Sequence, residues 1–126
     1  MTAVAPKVIA VVDDDEAVRT AIENLLRSLG LGVAVFDSAE AFLASPAGLA
    51  ASCVVTDVQM RGMNGLELQR QIAARDIGMP VILITAFPRD EARRQAEAAG
   101  ACGYLAKPFE GGRLIECIEK ALGARD

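Results

Sequence analysis

The side chains best suited to chemistry in this sequence stand where apolar runs end. They are two adjacent aspartates, a third aspartate, a threonine and a lysine: Asp13, Asp14, Asp57, Thr85 and Lys107. Two carboxylates ~4 Å apart at an effective dielectric of ~20 repel each other by roughly 4 kcal/mol. A chain that gathers three carboxylates at the ends of buried segments therefore needs a cation among them.

The types of these side chains favour a hard cation and a phosphoryl group. Mg²⁺ takes oxygen ligands, uses one or two carboxylates and keeps waters that a phosphate can replace. Lys107 is a point charge suited to a phosphoryl oxygen, and Thr85 can donate a hydrogen bond to another. Asp57 can attack phosphorus and form an acyl phosphate, while the metal and Lys107 stabilise charge on the transferred oxygens.

The composition excludes several other kinds of site. The 126 residues include no histidine, which rules out Ser-His and Cys-His catalytic pairs and any histidine-ligated metal. The net charge of -4 argues against non-specific nucleic-acid binding, which uses a basic surface. Cys53, Cys102 and Cys117 have no metal-like spacing and are interpreted as reduced, small apolar residues. No stretch approaches the ~20 apolar residues of a membrane span, and no signal peptide is found, so a cytoplasmic location is predicted.

Apolar periodicity predicts strands that alternate with helices. The short apolar runs typical of buried strands are 7–12, 33–36, 53–56, 81–84 and 104–106. The segments with helical spacing are 16–29, 39–43, 66–72, 90–99 and 110–122. Gly30 and Gly100 are predicted to end the first and fourth of these helices. Pro46 and Gly48 are interpreted as a break in the chain.

This alternation predicts an α/β fold, a doubly wound five-stranded parallel sheet with helices on both faces. With the strand order 2-1-3-4-5, the first and third strands are neighbours at the switch point, where ligands bind beyond the carboxyl ends of the strands. Asp13, Asp14 and Asp57 then converge, with Thr85 and Lys107 beside them. The length suits one domain, predicted over residues 1–126.

Four motifs, in this order, resemble those of response-regulator receiver domains, the flavodoxin-like (CheY-like) three-layer modules phosphorylated by bacterial sensor histidine kinases. VVDDDEAVR resembles the strand end with an acidic pair, and TDVQMRGMNGLEL resembles the phosphoacceptor segment. ILITAF resembles the segment with the switch threonine, and GYLAKPFE the one with the switch aromatic and the phosphate-binding lysine. The resemblance covers essentially the whole chain and is closest in wording to FixJ-type receivers.

The resemblance implies a role for each site residue. Asp57 would accept the phosphoryl group, and Lys107 would bind it. Asp14 and Asp57 would bind Mg²⁺ directly, Asp13 through a water molecule, and Gln59 through its backbone carbonyl.

The resemblance also implies how such a domain acts. Thr85 would move toward the phosphate, Tyr104 would turn inward, and the Lys107-Pro108 peptide bond would be cis. The face made by the fourth helix, fifth strand and fifth helix would then bind a downstream target or output domain, and a phosphorylation-dependent homodimer is compatible with this scheme. The phosphoryl donor would be a sensor histidine kinase or a phosphotransfer protein. The domain would assist its own phosphorylation and dephosphorylation without being a turnover enzyme, and this chain would not contact nucleic acid or a membrane.

One position departs from the family pattern. Proline usually follows the methionine of the phosphoacceptor loop, whereas Arg61 follows Met60 here. Proline would fix the backbone and remove an N–H. Arg61 therefore predicts a less constrained loop with an added cation, but the same site.

Three other interpretations account for parts of the pattern. Asp13 and Asp14 could simply cap the first helix, a role that Asp15 also suits. A phosphohydrolase of the haloacid-dehalogenase kind also uses an aspartate nucleophile at a strand end, but its Asp-x-Asp motif continues with Thr or Val where this chain has Ala17. A degenerate receiver that binds its partner constitutively would lack some of the five functional positions, and all five are present.

Overall fold

Five short strands form one parallel sheet in the computed structural model, which describes residues 7–123. The strands are β1 (Val8–Val12), β2 (Gly32–Phe36), β3 (Cys53–Asp57), β4 (Val81–Thr85) and β5 (Gly103–Ala106). Their order is β2-β1-β3-β4-β5, and every pairing is parallel. The predicted fold and strand order are therefore confirmed, with β1 and β3 side by side.

Helices cover both faces of this sheet. In the described residues they are α1 (Glu16–Ser28), α2 (Ala39–Leu43), α3 (Pro46–Leu49), α4 (Gly65–Ala74), α5 (Asp90–Ala98) and α6 (Gly111–Gly123). Successive strand side chains point to opposite faces. Val55 of β3 accordingly packs with Leu26 of α1 and Leu114 of α6, whereas Val54 lies in the core that α2, α4 and α5 share. The result is a three-layer sandwich.

The helices of the described segment are short. The longest, α1 and α6, have 13 residues each. At ~1.5 Å per residue they reach only about two-thirds of the ~30 Å hydrocarbon thickness of a bilayer. None of the helices between residues 7 and 123 could cross a membrane.

The predicted chain break at Pro46 and Gly48 is wrong, because both residues lie in helix α3. The Ser45 hydroxyl accepts a hydrogen bond from the Gly48 N–H at 3.2 Å, and proline fits the first helical turn, where its missing N–H is not needed. Gly48 is buried so closely that an added Cβ would lie 2.9 Å from the Phe42 ring. The fourth and fifth predicted helices consequently correspond to α5 and α6.

Strands β3 and β4 each extend one residue further than the apolar runs predict. Asp57 pairs with Ile84, and Thr85 pairs with Ala106. The two polar residues are therefore the last residues of their strands. Their backbones are fixed by the sheet, unlike those of a free loop.

The start of α4 lies directly against the carboxyl end of β3. Asn64 and Glu67 form a capping box, in which the Asn64 side chain accepts from the Glu67 N–H at 2.9 Å and Glu67 accepts from the Asn64 N–H at 3.2 Å. Gly65, the first residue of the helix, is buried, and a Cβ there would collide with the backbone carbonyl of Asp57. Only glycine lets the helix approach the strand this closely.

We expect Gly65→Ala to destabilise the protein by about 2–3 kcal/mol, because the helix must move away from Asp57 to admit a methyl group. The matched control is Gly112→Ala in α6, where an added Cβ meets nothing within 4 Å. Alanine there should be neutral or stabilising by up to about 1 kcal/mol. Equilibrium urea unfolding measures both changes. An unchanged free energy of unfolding in Gly65→Ala would contradict this account of the contact.

Candidate functional site

The carboxyl ends of β1, β3, β4 and β5 bring the predicted site residues to one edge of the sheet. One oxygen each from Asp13, Asp14 and Asp57 lies within 4.8 Å of the others. Chain connections leave β1 and β3 in opposite directions, which opens a crevice between these two strands. The three carboxylates meet at this crevice, as the strand order predicts.

Lys107 is the cation of this cluster. Its Nζ donates to Asp13 Oδ2 at 3.0 Å and lies 3.3 Å from Asp57 Oδ2. Burial alone would lower the pKa of the Lys107 ammonium, but the hydrogen bond and charge of Asp13, followed by those of Asp57, outweigh burial and raise this pKa. Lys107 therefore stays protonated and offsets part of the repulsion between the two carboxylates.

Asp57 keeps a carboxylate oxygen near this ammonium while almost the whole residue is buried, with 6% of its surface exposed. Its Oδ1 accepts a hydrogen bond from the Gln59 N–H at 3.3 Å. Burial raises the pKa of the Asp57 carboxyl, and the neighbouring Asp13 charge raises it further, against the opposing effects of Lys107 and of the Gln59 N–H. The protein alone therefore does not fully compensate the negative charge of Asp57.

Asp13 and Asp14 differ in how much of their binding capacity is already used. Asp13 is fully buried, and its Oδ1 accepts from the Asp15 N–H at 2.9 Å while Oδ2 accepts from Lys107. Asp14 is half-buried, and its Oδ2 accepts a long 3.3 Å hydrogen bond from the Arg61 N–H. Both Asp13 oxygens are thus engaged, whereas Asp14 faces the open side of the crevice.

This donor set fits a hard divalent cation. It consists of carboxylate oxygens alone, gathered within a few ångströms, with incomplete charge compensation from a single lysine. Such ligands suit Mg²⁺, which prefers oxygen and retains waters. Each of the three carboxylates could supply an oxygen to such an ion. Gln59 follows Asp57 by two residues, which puts its backbone carbonyl in the same loop.

The departure at Arg61 has a structural consequence that residue type alone did not predict. The Arg61 N–H that binds Asp14 would be absent from a proline at this position. Further along the loop, the Met63 N–H donates to Glu40 Oε2 at 3.0 Å, and this bond lowers the pKa of the exposed Glu40 carboxyl. Two hydrogen bonds thus hold a loop that lacks the usual proline.

Thr85 is close to the acidic cluster but is engaged elsewhere. It is fully buried, and its hydroxyl donates to Gln59 Oε1 at 2.6 Å and accepts from the Phe87 N–H at 3.0 Å. This side-chain contact of Gln59 was not predicted from the sequence, where the family resemblance implied a role only for its backbone carbonyl. The position of Gln59, two residues beyond Asp57 at the same sheet edge, was the one available signal.

Tyr104 lies outside the acidic cluster, on the neighbouring edge strand. Its ring is half-buried in the core shared by α2, α4 and α5, and the Arg93 guanidinium lies 5.4 Å from the ring centroid. The Tyr104 hydroxyl accepts from the Arg89 N–H at 3.4 Å. The tyrosine is therefore held at the start of α5.

The helix-capping interpretation of the first two aspartates is not needed. Asp15 is the N-cap of α1, where its Oδ1 accepts from the N–H groups of Ala17 at 2.9 Å and Val18 at 3.3 Å. This leaves Asp13 and Asp14 for the crevice. Asp15 is also the second aspartate of the dehalogenase-like Asp-x-Asp pattern, and its exposed side chain is used here to cap the helix.

We expect metal-free Asp57→Asn to melt at a higher temperature than the parent chain at neutral pH. The folded-state pKa of Asp57 lies above its ordinary value of 3.8, so folding favours the protonated form. The stability that Asp57 contributes is therefore present below its ordinary pKa and lost as the pH rises through the folded pKa. An amide removes this loss.

Melting temperatures in EDTA between about pH 3 and pH 7 measure this effect. The advantage of Asp57→Asn should shrink as the pH falls, and Asp76→Asn at an exposed aspartate serves as the reference for a surface substitution of the same kind. A lower melting temperature for Asp57→Asn at pH 7 would contradict the raised pKa.

Comparison with known proteins places this geometry in a family. The chain matches the family model "Response regulator receiver domain" over residues 9–119. It is 41% identical over 114 residues to the transcriptional regulatory protein FixJ of Bradyrhizobium diazoefficiens, covering 90% of this chain and 56% of that protein. It is also 41% identical over 115 residues to the response regulator protein TmoT of Ectopseudomonas mendocina, covering 91% and 52%. The chain thus spans about half the length of these two relatives.

A solved structure agrees with the match in sequence. The crystal structure of FixJ-N superposes with a TM-score of 0.85 at 36% identity, over 95% of this chain and 96% of that one. Receiver domains of this family are phosphorylation-controlled signalling switches that bind Mg²⁺ at an acidic pocket, and they are not turnover enzymes. The chain belongs to the response-regulator receiver domains of two-component systems.

Proposed function

We propose that residues 1–126 form a single receiver domain in which Asp57 accepts a phosphoryl group from a sensor histidine kinase or a phosphotransfer protein. The observation that carries the proposal is the position of Lys107 Nζ, 3.3 Å from Asp57 Oδ2 and 3.0 Å from Asp13 Oδ2. This ammonium is placed to bind both the acceptor carboxylate before transfer and a phosphoryl oxygen after it.

In the proposed transfer, an Asp57 carboxylate oxygen forms a bond to phosphorus as the phosphorus–nitrogen bond of the donor histidine breaks. The electron pair of that bond returns to the imidazole. Asp14, Asp57 and the Gln59 carbonyl would hold Mg²⁺ directly, and Asp13 would hold it through water. The ion would supply positive charge for the phosphoryl oxygens. Lys107 would neutralise a further oxygen, and the buried position of Asp57 limits access of competing water.

The output of the switch is proposed to run through Thr85 and Tyr104. Thr85 would donate its hydroxyl proton to a phosphoryl oxygen, and Tyr104 would leave Arg89 and turn inward. The face made by α5, β5 and α6 would then bind the downstream partner. We propose that this partner is an output domain or a separate target, and the output domain is supported by the relatives FixJ and TmoT, which are about twice as long. We also propose that a phosphorylation-dependent homodimer uses the same face.

The remaining parts of the proposal concern the setting of the domain. This receiver would act in the cytoplasm, without direct contact to nucleic acid or membrane. It would assist its own phosphorylation and dephosphorylation, since the metal site and Lys107 belong to the same chain as the acceptor.

We expect Asp57→Asn to abolish phosphoryl labelling by acetyl phosphate and Mg²⁺, because the amide keeps the shape but loses the nucleophilic oxygen. Intact-protein mass spectrometry detects the added phosphoryl group. The control Asp76→Asn changes an exposed aspartate at φ 53°, where asparagine is equally acceptable, and should label like the parent. Full labelling of Asp57→Asn would place the acceptor elsewhere.

We expect Mg²⁺ to stabilise the fold by about 2.7 kcal/mol at one hundred times its dissociation constant, and the relief of repulsion among the carboxylates contributes to that constant. Asp14→Ala should raise stability in EDTA and remove the response to Mg²⁺. Asp15→Ala is the matched control: it should cost about 1 kcal/mol through loss of the cap, yet keep the full response. Thermal melts with and without Mg²⁺ test both variants, and a parent melting temperature that ignores Mg²⁺ would contradict the metal site.

A further inference from the structure

The hydroxyl of Thr85 is committed to partners that lie away from the phosphoacceptor oxygen. It accepts a hydrogen bond from the Phe87 N–H at 3.0 Å, and its proton goes to Gln59 Oε1 at 2.6 Å, a short contact for such a bond. Because the hydroxyl oxygen accepts from the Phe87 N–H, the hydroxyl proton is directed to another acceptor. The amide of Gln59 is oriented so that its oxygen provides that acceptor.

A hydroxyl has a single proton to donate. Thr85 can therefore donate to Gln59 or to a phosphoryl oxygen on Asp57, but not to both. Any state in which Thr85 binds the phosphoryl group must first lose the 2.6 Å bond to Gln59.

Gln59 is also the residue that contacts Asp57 from the loop. Its N–H donates to Asp57 Oδ1 at 3.3 Å, while its side chain reaches Thr85 on the neighbouring strand. The backbone of Gln59 is thus hydrogen-bonded to the acceptor Asp57, and its side chain is hydrogen-bonded to the switch threonine Thr85. Gln59 can therefore couple the state of Asp57 to the position of the Thr85 hydroxyl.

We propose that Gln59 is a positioning residue that restrains the Thr85 hydroxyl in the unphosphorylated domain and thereby opposes activation. The inference rests on the proposed function. The apparent affinity for a phosphoryl group is the intrinsic affinity multiplied by the fraction of domains in which Thr85 is free, and the bond to Gln59 lowers that fraction. A hydrogen bond of ordinary net strength changes such a fraction on the order of five-fold.

The test uses beryllium fluoride, a phosphoryl-like anion, titrated at saturating Mg²⁺ and followed by the ¹⁹F signal of the bound species. Gln59→Met keeps the length of the side chain but removes the amide oxygen. It should lower the half-saturating concentration of beryllium fluoride about five-fold. Gln59 is exposed, so the substitution should not impair folding, and Gln59→Ala repeats the test with a shorter side chain.

A double-mutant cycle with Thr85→Ala separates this role from a general effect on the pocket. Without the hydroxyl there is nothing for Gln59 to restrain, so Gln59→Met should leave the half-saturating concentration of Thr85→Ala unchanged. An effect of equal size in both backgrounds, or none in the parent background, would overturn the inference. Failure of the parent to bind beryllium fluoride would instead overturn the proposed function, and the inference with it.

Tyr104 provides an independent readout of the same restraint, because the chain has one tyrosine and no tryptophan. Its emission therefore reports on this ring alone. At a fixed, sub-saturating concentration of beryllium fluoride, Gln59→Met should protect Tyr104 from acrylamide more than the parent does. Equal quenching of the two proteins would show that Gln59 does not act on the switch.

Discussion

The ammonium of Lys107 holds together two carboxylates that would otherwise repel each other across the end of the sheet. Asp13 is fully buried, and a buried carboxylate without a partner costs several kcal/mol. The ion pair joins residues 94 positions apart, at the ends of the first and last strands described. The compensation is nevertheless incomplete, because the pKa of Asp57 remains raised. The site is thus stable enough to fold and still gains from added positive charge, a balance suited to reversible binding of a metal.

The loop after β3 shows how the same site tolerates an unusual sequence. Arg61 stands where the family usually has proline, and its backbone N–H donates a hydrogen bond to Asp14. Glu40 of α2 accepts a hydrogen bond from the Met63 N–H. The constraint that proline would supply through its ring is supplied here by hydrogen bonds to two carboxylates. One of those carboxylates belongs to the acidic cluster, so the conformation of the loop is coupled to what Asp14 binds.

Much of this arrangement could be predicted from the sequence because parallel strands all end at one sheet edge. An apolar run followed by a polar residue was enough to bring Asp13, Asp57 and Lys107 together. Helix α3 was missed because proline and glycine are usually breakers, whereas Gly48 fits beneath the Phe42 ring. The Gln59–Thr85 bond and the N–H of Arg61 depend on loop conformation and on backbone donors, which residue types do not encode.

The backbone anchorage of Thr85 has a consequence for the timing of the response. The Thr85 carbonyl accepts the Lys107 N–H at 2.7 Å, and the residue is paired in the sheet with Ala106. The hydroxyl can therefore approach Asp57 only by rotation about the Cα–Cβ bond, which in a β-branched side chain is a step between discrete rotamers. Such steps are fast in exposed side chains, but Thr85 is fully buried and its hydroxyl is bonded to Gln59 and to the Phe87 N–H, so the step must wait until the bond to Gln59 breaks. In the proposed switch, the delay between receiving a phosphoryl group and presenting a changed surface would therefore include two releases, that of the Thr85 hydroxyl from Gln59 and that of Tyr104 from the start of α5.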